Sequence, residues 1–232
     1  MTKNLTIAID GPAGSGKSTT ARLVAQRLGY AYIDTGAMYR AMALKALREG
    51  VDPEDRDAVA ELADRTRIEM RQQDGALHIY LDGEDVTEKL RLPEVTKAVT
   101  PVCQVNRVRQ VLVEQQRQIG RNGAVVMEGR DIGTVVLPRA EIKIFLNASL
   151  QERAKRRYLE LRAQGLEIPL RQLKKQIAQR DKQDMSRAQA PLRKAEDAIL
   201  IDTTKLTIEE QVDKIVNLAK SLSAEDKNGQ DS

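Results

Sequence analysis

A glycine-rich stretch near the start of the chain carries the residues with the clearest chemistry. It follows the pattern G-x-x-x-x-G-K-[ST], with a short apolar run before it and a helical pattern after it. Such a loop turns successive backbone N–H groups toward one concavity, and the following helix directs its positive end there. Lys17 would supply a charge for the β- and γ-phosphates, and Ser18 a hydroxyl for Mg²⁺. The pattern therefore predicts a nucleoside triphosphate site formed by Gly11, Pro12, Ala13, Gly14, Ser15, Gly16, Lys17, Ser18 and Thr19.

The composition excludes several other kinds of site. The 232-residue chain has one cysteine, Cys103, and one histidine, His78, so an internal disulfide and any two-histidine zinc site are excluded. We interpret Cys103 as a packing residue and His78 as a surface or half-buried one. An aromatic content of 3% argues against a stacking platform for nucleic acid. No apolar run is long enough for a bilayer span or a signal peptide, so we expect a cytoplasmic protein with no membrane partner.

The positive charge is concentrated in one segment. Residues 151–187 contain eleven Lys and Arg but only five Asp and Glu, a net charge of +6, whereas the whole chain carries +4. A local excess of this kind suits an anionic ligand. Two charged helical patterns, 149–164 and 170–182, meet there at Gly165, which we interpret as a hinge.

Apolar runs alternate with amphipathic helical patterns along the rest of the chain. This order predicts an α/β fold of the P-loop NTPase type, a five-stranded parallel sheet flanked by helices. The predicted strands are 5–9, 30–33, 124–127, 142–146 and 199–201, and the other predicted helices are 17–28, 35–48, 57–64, 105–119 and 206–222. Polar and apolar residues alternate at every second position in 66–71 and 77–81, on the two sides of the turn signal Asp74-Gly75. This alternation predicts a small antiparallel β subdomain inserted at about 65–92.

Several sequence features favour a kinase for a small molecule. The guanine-binding signature N-K-x-D of GTPases is absent, and the length leaves no room for the accessory domains of a motor. A basic hinged segment suits a lid, because a kinase must keep water away from the γ-phosphate. Asp10, just before the loop, either orients the loop or contacts Mg²⁺ through water, and the sequence leaves both roles open.

Further blocks of sequence make a family resemblance visible. They are D-T-G-A-M-Y-R at 34–40, E-G-R-D-I-G-T-V-V at 128–136, K-I-F-L at 143–146, E-R-A-K-R-R at 152–157 and R-D-K-Q-D-M-S-R at 180–187. Their order and spacing resemble bacterial cytidylate kinases over nearly the whole chain, to about Leu222. The resemblance implies ATP-dependent phosphorylation of CMP and dCMP by direct in-line transfer with Mg²⁺. A monomer is the simplest expectation.

The resemblance also implies a role for each candidate residue. The acceptor phosphate would be bound by Arg40, Arg130 and Arg180. The cytosine would be surrounded by Thr35, Thr100, Arg109 and Arg187, with Asp131 near its amino group. Asp184 would lie near the sugar hydroxyls. Arg153, Arg156 and Arg157 share one helix face and would point at the ATP phosphates. The catalytic set would be Lys17, Arg130, Asp131, Arg153 and Arg157. The domains would be a core of 1–33, 105–150 and 188–222, an acceptor region of 34–104, a lid of 151–187 and a disordered tail of 223–232.

Other functions stay open at this point. The acceptor could be another nucleoside monophosphate such as UMP, or a hydroxyl substrate such as shikimate, which would require a general base. A regulatory NTPase that binds RNA would hydrolyse its nucleotide slowly and bind in a salt-sensitive way. A nucleotide-binding module without activity would not need the Lys17-Ser18 pair. The preference between CMP and dCMP is not fixed by the residues.

Overall fold

A computed structural model describes residues 4–73, 75–163, 165–187 and 189–228, with side chains as far as residue 224. The strands are β1 (Thr6–Asp10), β2 (Ala31–Asp34), β3 (Ile68–Gln73), β4 (Ala76–Leu81), β5 (Glu84–Asp85), β6 (Val125–Gly129), β7 (Ile142–Asn147) and β8 (Ile199–Asp202). The α-helices are α1 (Lys17–Leu28), α2 (Thr35–Arg48), α3 (Arg56–Asp64), α4 (Pro93–Val102), α5 (Asn106–Gly120), α6 (Leu150–Ala163), α7 (Leu170–Met185) and α8 (Ile208–Asn228). A 3₁₀ turn covers Thr87–Arg91 and a π-type turn Ile132–Val136.

Five strands form the parallel sheet, in the order β2-β6-β1-β7-β8. All residues of β6 and all but the first of β1 are buried, which is typical of parallel strands covered on both faces. The pairing of Asp10 with Gly129 and with Phe145 brings the carboxyl ends of three strands to one edge. The predicted α/β architecture is confirmed, and ligands bind at this edge in open α/β sheets.

The smaller sheet is antiparallel and consists of β3, β4 and β5. It confirms the inserted β subdomain that the change of period predicts. In the predicted turn, Gly75 has a left-handed backbone with φ +76°, whereas Asp74 lies outside the described residues. His78 pairs with Asp85 at this sheet, 2.7 Å from Nδ1 to Oδ2, and its side chain is 31% exposed.

The chain divides into two compact units. The first unit comprises Met1–Ala31 and Gly123–Ser232, where α1 packs against α8 and α6 against α7. The second unit, Tyr32–Asn122, has its own apolar core around Met38, Met42 and Leu62. Helix α5 belongs to this second unit, because its residues Val108 and Leu112 are buried in that core, although the sequence analysis assigned it to the phosphate-loop core.

Three segments differ from the sequence-based expectation. Neither α4 nor the turn before it is among the predicted elements. Proline inside a helix is disfavoured, as at Pro101, whereas Pro93 fits the first turn of a helix. Helix α8 runs on to Asn228, through most of the predicted disordered tail, because extending a formed helix with residues such as Ala and Glu is favourable. Residues 229–232, and the predicted end of the first charged helix at Gln164, lie outside the described residues.

Within the described ranges, no helix combines the length and the apolar character needed to cross a bilayer.

Candidate active site

The glycine-rich loop joins the end of β1 to the start of α1. Gly14 and Gly16 have φ values of +75° and +94°, which glycine adopts more easily than other residues. A β-carbon at Gly11 would lie 2.0 Å from the carbonyl oxygen of Leu146, so a larger residue has no room there. In the part of the chain that the structure describes, no side chain caps α1, and its first turn has no acidic residue. Its first N–H groups are therefore available to an anion, as a phosphate-binding loop requires.

Lys17 is the first residue of α1 and is only 5% exposed. Its Nζ donates to the carbonyl oxygen of Pro12 over 2.9 Å, which folds the side chain back over the loop. Burial, and next the nearby charge of Arg130, lower the pKa of Lys17 to about 7. A polyphosphate in the loop would bring negative charge to this ammonium group and favour its protonated form.

Ser18 donates its hydroxyl proton to a carboxylate oxygen of Glu128 over 2.7 Å. Glu128 is buried near the end of β6, the strand beside β1. The described residues contain no group of three His, Cys, Asp or Glu side chains placed to hold a metal by themselves. A hydroxyl and a carboxylate are nevertheless the oxygen ligands that Mg²⁺ takes together with phosphate oxygens and water. The pair therefore fits an Mg²⁺ ion that arrives with a nucleotide.

Asp10 holds the turn that follows β6. Its two carboxylate oxygens accept the N–H groups of Ile132 and Gly133, each over 2.8 Å. Burial raises the pKa of Asp10 to about 6, although these two hydrogen bonds oppose the shift. Because both oxygens are engaged by the backbone, the geometry favours an orienting role for Asp10 over a contact with Mg²⁺.

Asp184 brings two of the predicted acceptor-side arginines together. Arg130 donates from Nε to Asp184 over 2.9 Å, and Arg187 pairs with the other carboxylate oxygen. Burial alone would raise the pKa of Asp184, but Arg130 and Arg187 outweigh it and hold the pKa below its usual value. The result is a rigid cluster with two guanidinium groups and one carboxylate.

The three arginines of the predicted lid helix do not behave alike. Arg153 is buried and reaches the loop, where its Nη1 donates to the carbonyl oxygen of Ala13 over 3.1 Å. Its Nη2 pairs with Asp181 at 2.7 Å. Arg157 is 45% exposed and pairs with Glu160. Arg156 donates to the carbonyl oxygen of Ser15 over 3.3 Å.

The other candidates of the first unit lie close to these groups. Asp131 is buried beside Asp10 and helps to raise the pKa of Asp10. Arg180, on α7, adds positive charge that lowers the pKa of Lys17. Thr19 is exposed on α1. The first unit therefore combines the phosphate loop with four arginines. Arg153 and Arg156 donate hydrogen bonds to carbonyl groups of the loop, and the charges of Arg130 and Arg180 lower the pKa of Lys17.

The second unit holds the remaining four candidates on helices α2, α4 and α5. Thr35 is buried at the start of α2, and Thr100 is exposed on α4. Arg40 pairs with Asp34 at 2.8 Å, and Asp34 also caps α2 through the N–H of Ala37. Arg109 is 6% exposed, with its guanidinium 5.8 Å from the centre of the Tyr39 ring. The two arginines are therefore positioned by contacts with Asp34 and Tyr39 of their own unit.

The sequence analysis missed Glu128, Thr203 and Gln211 as parts of the site. Glu128 lies 110 residues from its partner Ser18, and Thr203 lies 188 residues from Ser15. A signal existed for Glu128, since it ends an apolar strand and precedes the candidate Arg130. For Thr203 and Gln211, the sequence carries no local signal.

The sequence is similar to known proteins over most of its length. The profile of the family described as Cytidylate kinase matches residues 7–221. A protein named cytidylate kinase from Caldicellulosiruptor bescii is 51% identical over 216 residues, which cover 93% of this chain and 96% of that protein. One of the same name from Geobacillus sp. (strain WCH70) is 53% identical over 218 residues, or 94% of this chain and 97% of that protein. The crystal structure of an uncharacterized protein from Eubacterium ventriosum ATCC 27560 has a TM-score of 0.53 at 16% identity, covering 94% of this chain and 99% of that one, and supports the fold alone.

Proposed function

The chain belongs to the cytidylate kinase family, and on that premise we propose that it transfers the γ-phosphoryl group of ATP to the phosphate of CMP or dCMP. The products are ADP and CDP or dCDP. The family makes the protein an enzyme, a phosphotransferase that acts on nucleotides. The proposal concerns the donor, the acceptor and the direct transfer between them.

One observation carries the proposal: a phosphate loop and an arginine cluster occur in the same unit and influence each other. Lys17 belongs to the loop, Arg130 belongs to the cluster with Asp184, and Arg130 is near enough to lower the pKa of Lys17. Two cations that repel each other in this way are stabilised when phosphate groups lie between and around them. A kinase that transfers a phosphoryl group from ATP to a phosphate monoester must hold two highly charged groups together, and this arrangement suits it better than it suits a kinase for a hydroxyl substrate.

The chemistry of the acceptor explains why a general base is unnecessary. The second pKa of a phosphate monoester is about 6, so at pH 7 the acceptor is already mostly the dianion. The protein then has to align the two phosphates and neutralise the charge that spreads over the transferred group. The donor phosphates are aligned and neutralised by Lys17, Arg153 and Arg157. Arg130 neutralises the charge between the donor and acceptor phosphates.

Mg²⁺ fits the loop through the Ser18 hydroxyl, with the Glu128 carboxylate beside it. When bound, it supplies positive charge to the β- and γ-phosphate oxygens. Ser18 offers a ligand, and Glu128 orients that hydroxyl. Asp10 holds the N–H groups of Ile132 and Gly133, directly after the Arg130–Asp131 segment.

The acceptor contacts are proposed as the resemblance implies. The phosphate is bound by Arg40, Arg130 and Arg180. The cytosine is surrounded by Thr35, Thr100, Arg109 and Arg187, and Asp131 faces its amino group. Asp184 faces the sugar. The burial of Arg109 beside Tyr39 supports this assignment, because a fixed donor discriminates between bases by its hydrogen bonds. The division into core, acceptor region and lid, the monomeric state and the cytoplasmic location likewise stay predictions.

The experiment is an assay of ADP formation from ATP and Mg²⁺ with CMP, dCMP, UMP, AMP or GMP, or with no acceptor. We expect fast turnover with CMP and dCMP and little with the rest. Preference for another acceptor would refute the proposed cytosine pocket but would be consistent with the proposed phosphoryl transfer. Slow hydrolysis that no acceptor stimulates would refute the proposal and favour a regulatory NTPase.

A further inference from the structure

The outer side of the phosphate loop is fastened to the segment that follows β8. Thr203 is fully buried there, and its hydroxyl lies 3.1 Å from the carbonyl oxygen of Ser15 and 3.0 Å from that of Asn147. Arg156 joins the same point: its Nη1 lies 3.3 Å from the Ser15 oxygen and 3.1 Å from Thr203 Oγ1. Its Nη2 donates to the carbonyl oxygen of Thr203 over 2.6 Å. The proposed mechanism uses none of these hydrogen bonds.

The Ser15 carbonyl is a sensitive point of the loop. Ser15 lies between Gly14 and Gly16, which both have positive φ, and glycine passes between backbone regions at little cost. The Ser15–Gly16 peptide could therefore rotate easily without an external contact. Because a trans peptide is planar, the carbonyl of Ser15 and the N–H of Gly16 point in opposite directions. Holding the carbonyl outward consequently turns the N–H of Gly16 to the other side of the loop.

A second buried side chain supports the same segment. Gln211 is fully buried, accepts the hydroxyl proton of Thr20 over 2.8 Å and donates to the carbonyl oxygen of Leu206 over 3.2 Å. A β-carbon at Gly16 would lie 3.2 Å from the Gln211 Oε1 atom. The backbone of the loop thus approaches a fixed polar surface closely at Gly16 as well as at Ser15.

We infer that Thr203 is a positioning residue for the donor nucleotide: together with Arg156 it holds the Ser15–Gly16 peptide so that the Gly16 N–H faces the donor phosphates. Thr203 does not touch the nucleotide. Arg156 acts through the Ser15 carbonyl, unlike Arg157 on the same helix. The inference deepens the proposed function and rests on it, since it requires that the loop binds ATP.

The test replaces the hydroxyl of Thr203 by a methyl group of the same shape. Thr203→Val is expected to weaken binding of ATP with Mg²⁺ by roughly tenfold, the effect of one lost hydrogen bond to a buried group. Isothermal titration measures this affinity, and steady-state kinetics should show a higher KM for ATP with an unchanged KM for CMP. Thr203→Ser keeps the hydroxyl and should restore ATP binding.

Thr66→Val is the matched control. Thr66 is also a buried threonine, and its hydroxyl donates to the carbonyl oxygen of Leu62 over 2.6 Å, but it belongs to the second unit. We expect a lower Tm for this variant and unchanged ATP affinity. Arg156→Met removes the other side chain that donates to the Ser15 carbonyl. We expect it to lose as much ATP affinity as Thr203→Val, and we expect no further loss in the double variant.

Three results separate the possible failures. If Thr203→Val binds ATP as tightly as the parent, the inference is overturned. If Arg156→Met weakens ATP binding and Thr203→Val does not, Arg156 contacts the phosphates directly and the inference again fails. If the parent itself binds no ATP, the proposed function is what fails.

Discussion

The guanidinium of Arg130 donates to the carboxylate of Asp184 over 2.9 Å, although the two residues lie 54 positions apart in the chain. Arg130 follows the buried strand β6, and Asp184 lies in the last turn of α7. Asp184 is 2% exposed and also pairs with Arg187. One carboxylate therefore fixes two arginines that the family resemblance assigns to the acceptor, one at the strand edge and one just beyond the helix.

Replacing Asp184 by asparagine should impair both stability and the acceptor site. The amide keeps the shape but leaves two guanidinium groups without their counter-charge, and we expect a loss of roughly 2 kcal/mol in the free energy of unfolding. The KM for CMP should rise at least about tenfold, with a smaller change in the KM for ATP. Thermal unfolding and steady-state kinetics measure these effects. The pair of Lys143 with Asp197, whose side chain is 65% exposed, supplies the control: Asp197→Asn should change neither KM. Equal KM values for CMP in Asp184→Asn and the parent would contradict the role of the cluster.

Lys17→Ala should remove nearly all turnover while the fold is kept. The side chain donates one hydrogen bond, to Pro12, and its removal relieves the cost of a buried ammonium group. Loss of a charge aimed at the transferred phosphoryl group is expected to lower kcat by roughly 100-fold or more. Lys194→Ala removes a lysine that donates to the carbonyl groups of Ala195 and Ala198, and it should retain activity. An active Lys17→Ala enzyme would refute the assignment of the loop.

The affinity for ATP should depend on pH through Lys17. Its pKa is lowered to about 7, so the group loses its proton in the free protein as the pH rises above that value. Because ATP favours the charged form, binding above pH 7 must first restore the proton, and the affinity should fall by up to about tenfold per pH unit. Titration calorimetry in buffers of different ionisation enthalpy should detect proton uptake at pH 8. Lys17→Arg keeps its charge throughout and isolates the titration of ATP itself. An identical pH profile for that variant and the parent would count against this explanation.

The phosphate loop has no room for a larger residue at Gly11, so a substitution there should disturb the loop backbone. An alanine there would place its β-carbon 2.0 Å from the carbonyl oxygen of Leu146, so the loop or β7 must shift. Gly29 is the matched control, because it has a positive φ of +69° but no atom within 4 Å of the added carbon. We expect Gly29→Ala to cost about 1 kcal/mol and to leave the KM for ATP unchanged. Gly11→Ala should cost clearly more and raise the KM for ATP. Equal Tm values for the two variants would show that the loop tolerates the extra carbon.

The sequence predicts best those elements whose ends are determined by contacts between neighbouring residues. Helices α1 and α2 have the bounds that the sequence predicts, because Gly16 and Gly29 border the first and Asp34 caps the second. Helix α4 is not among the predicted elements, and proline inside a helix is disfavoured, as at Pro101. In the site, the spacing of the phosphate loop correctly predicts that the helix begins at Lys17, whereas the roles of Lys17 and Ser18 stay predictions.

Contacts between distant segments could not be predicted in the same way. A spacing of three and four residues placed Arg153, Arg156 and Arg157 on one helix face, yet their partners come from different segments. Arg153 reaches the phosphate loop, Arg156 reaches Thr203, and Arg157 pairs within its own helix. Helical periodicity defines a face, whereas the tertiary packing decides what each side chain on that face meets.

The most direct test follows the phosphoryl group itself. ATP labelled with ³²P at the γ-position is incubated with Mg²⁺, CMP and the protein, and the labelled products are separated. We predict that the label appears in the β-phosphate of CDP, and that Lys17→Ala forms labelled CDP at least about 100-fold more slowly. Label found only in inorganic phosphate, at a rate that does not depend on CMP, would contradict the proposed transfer.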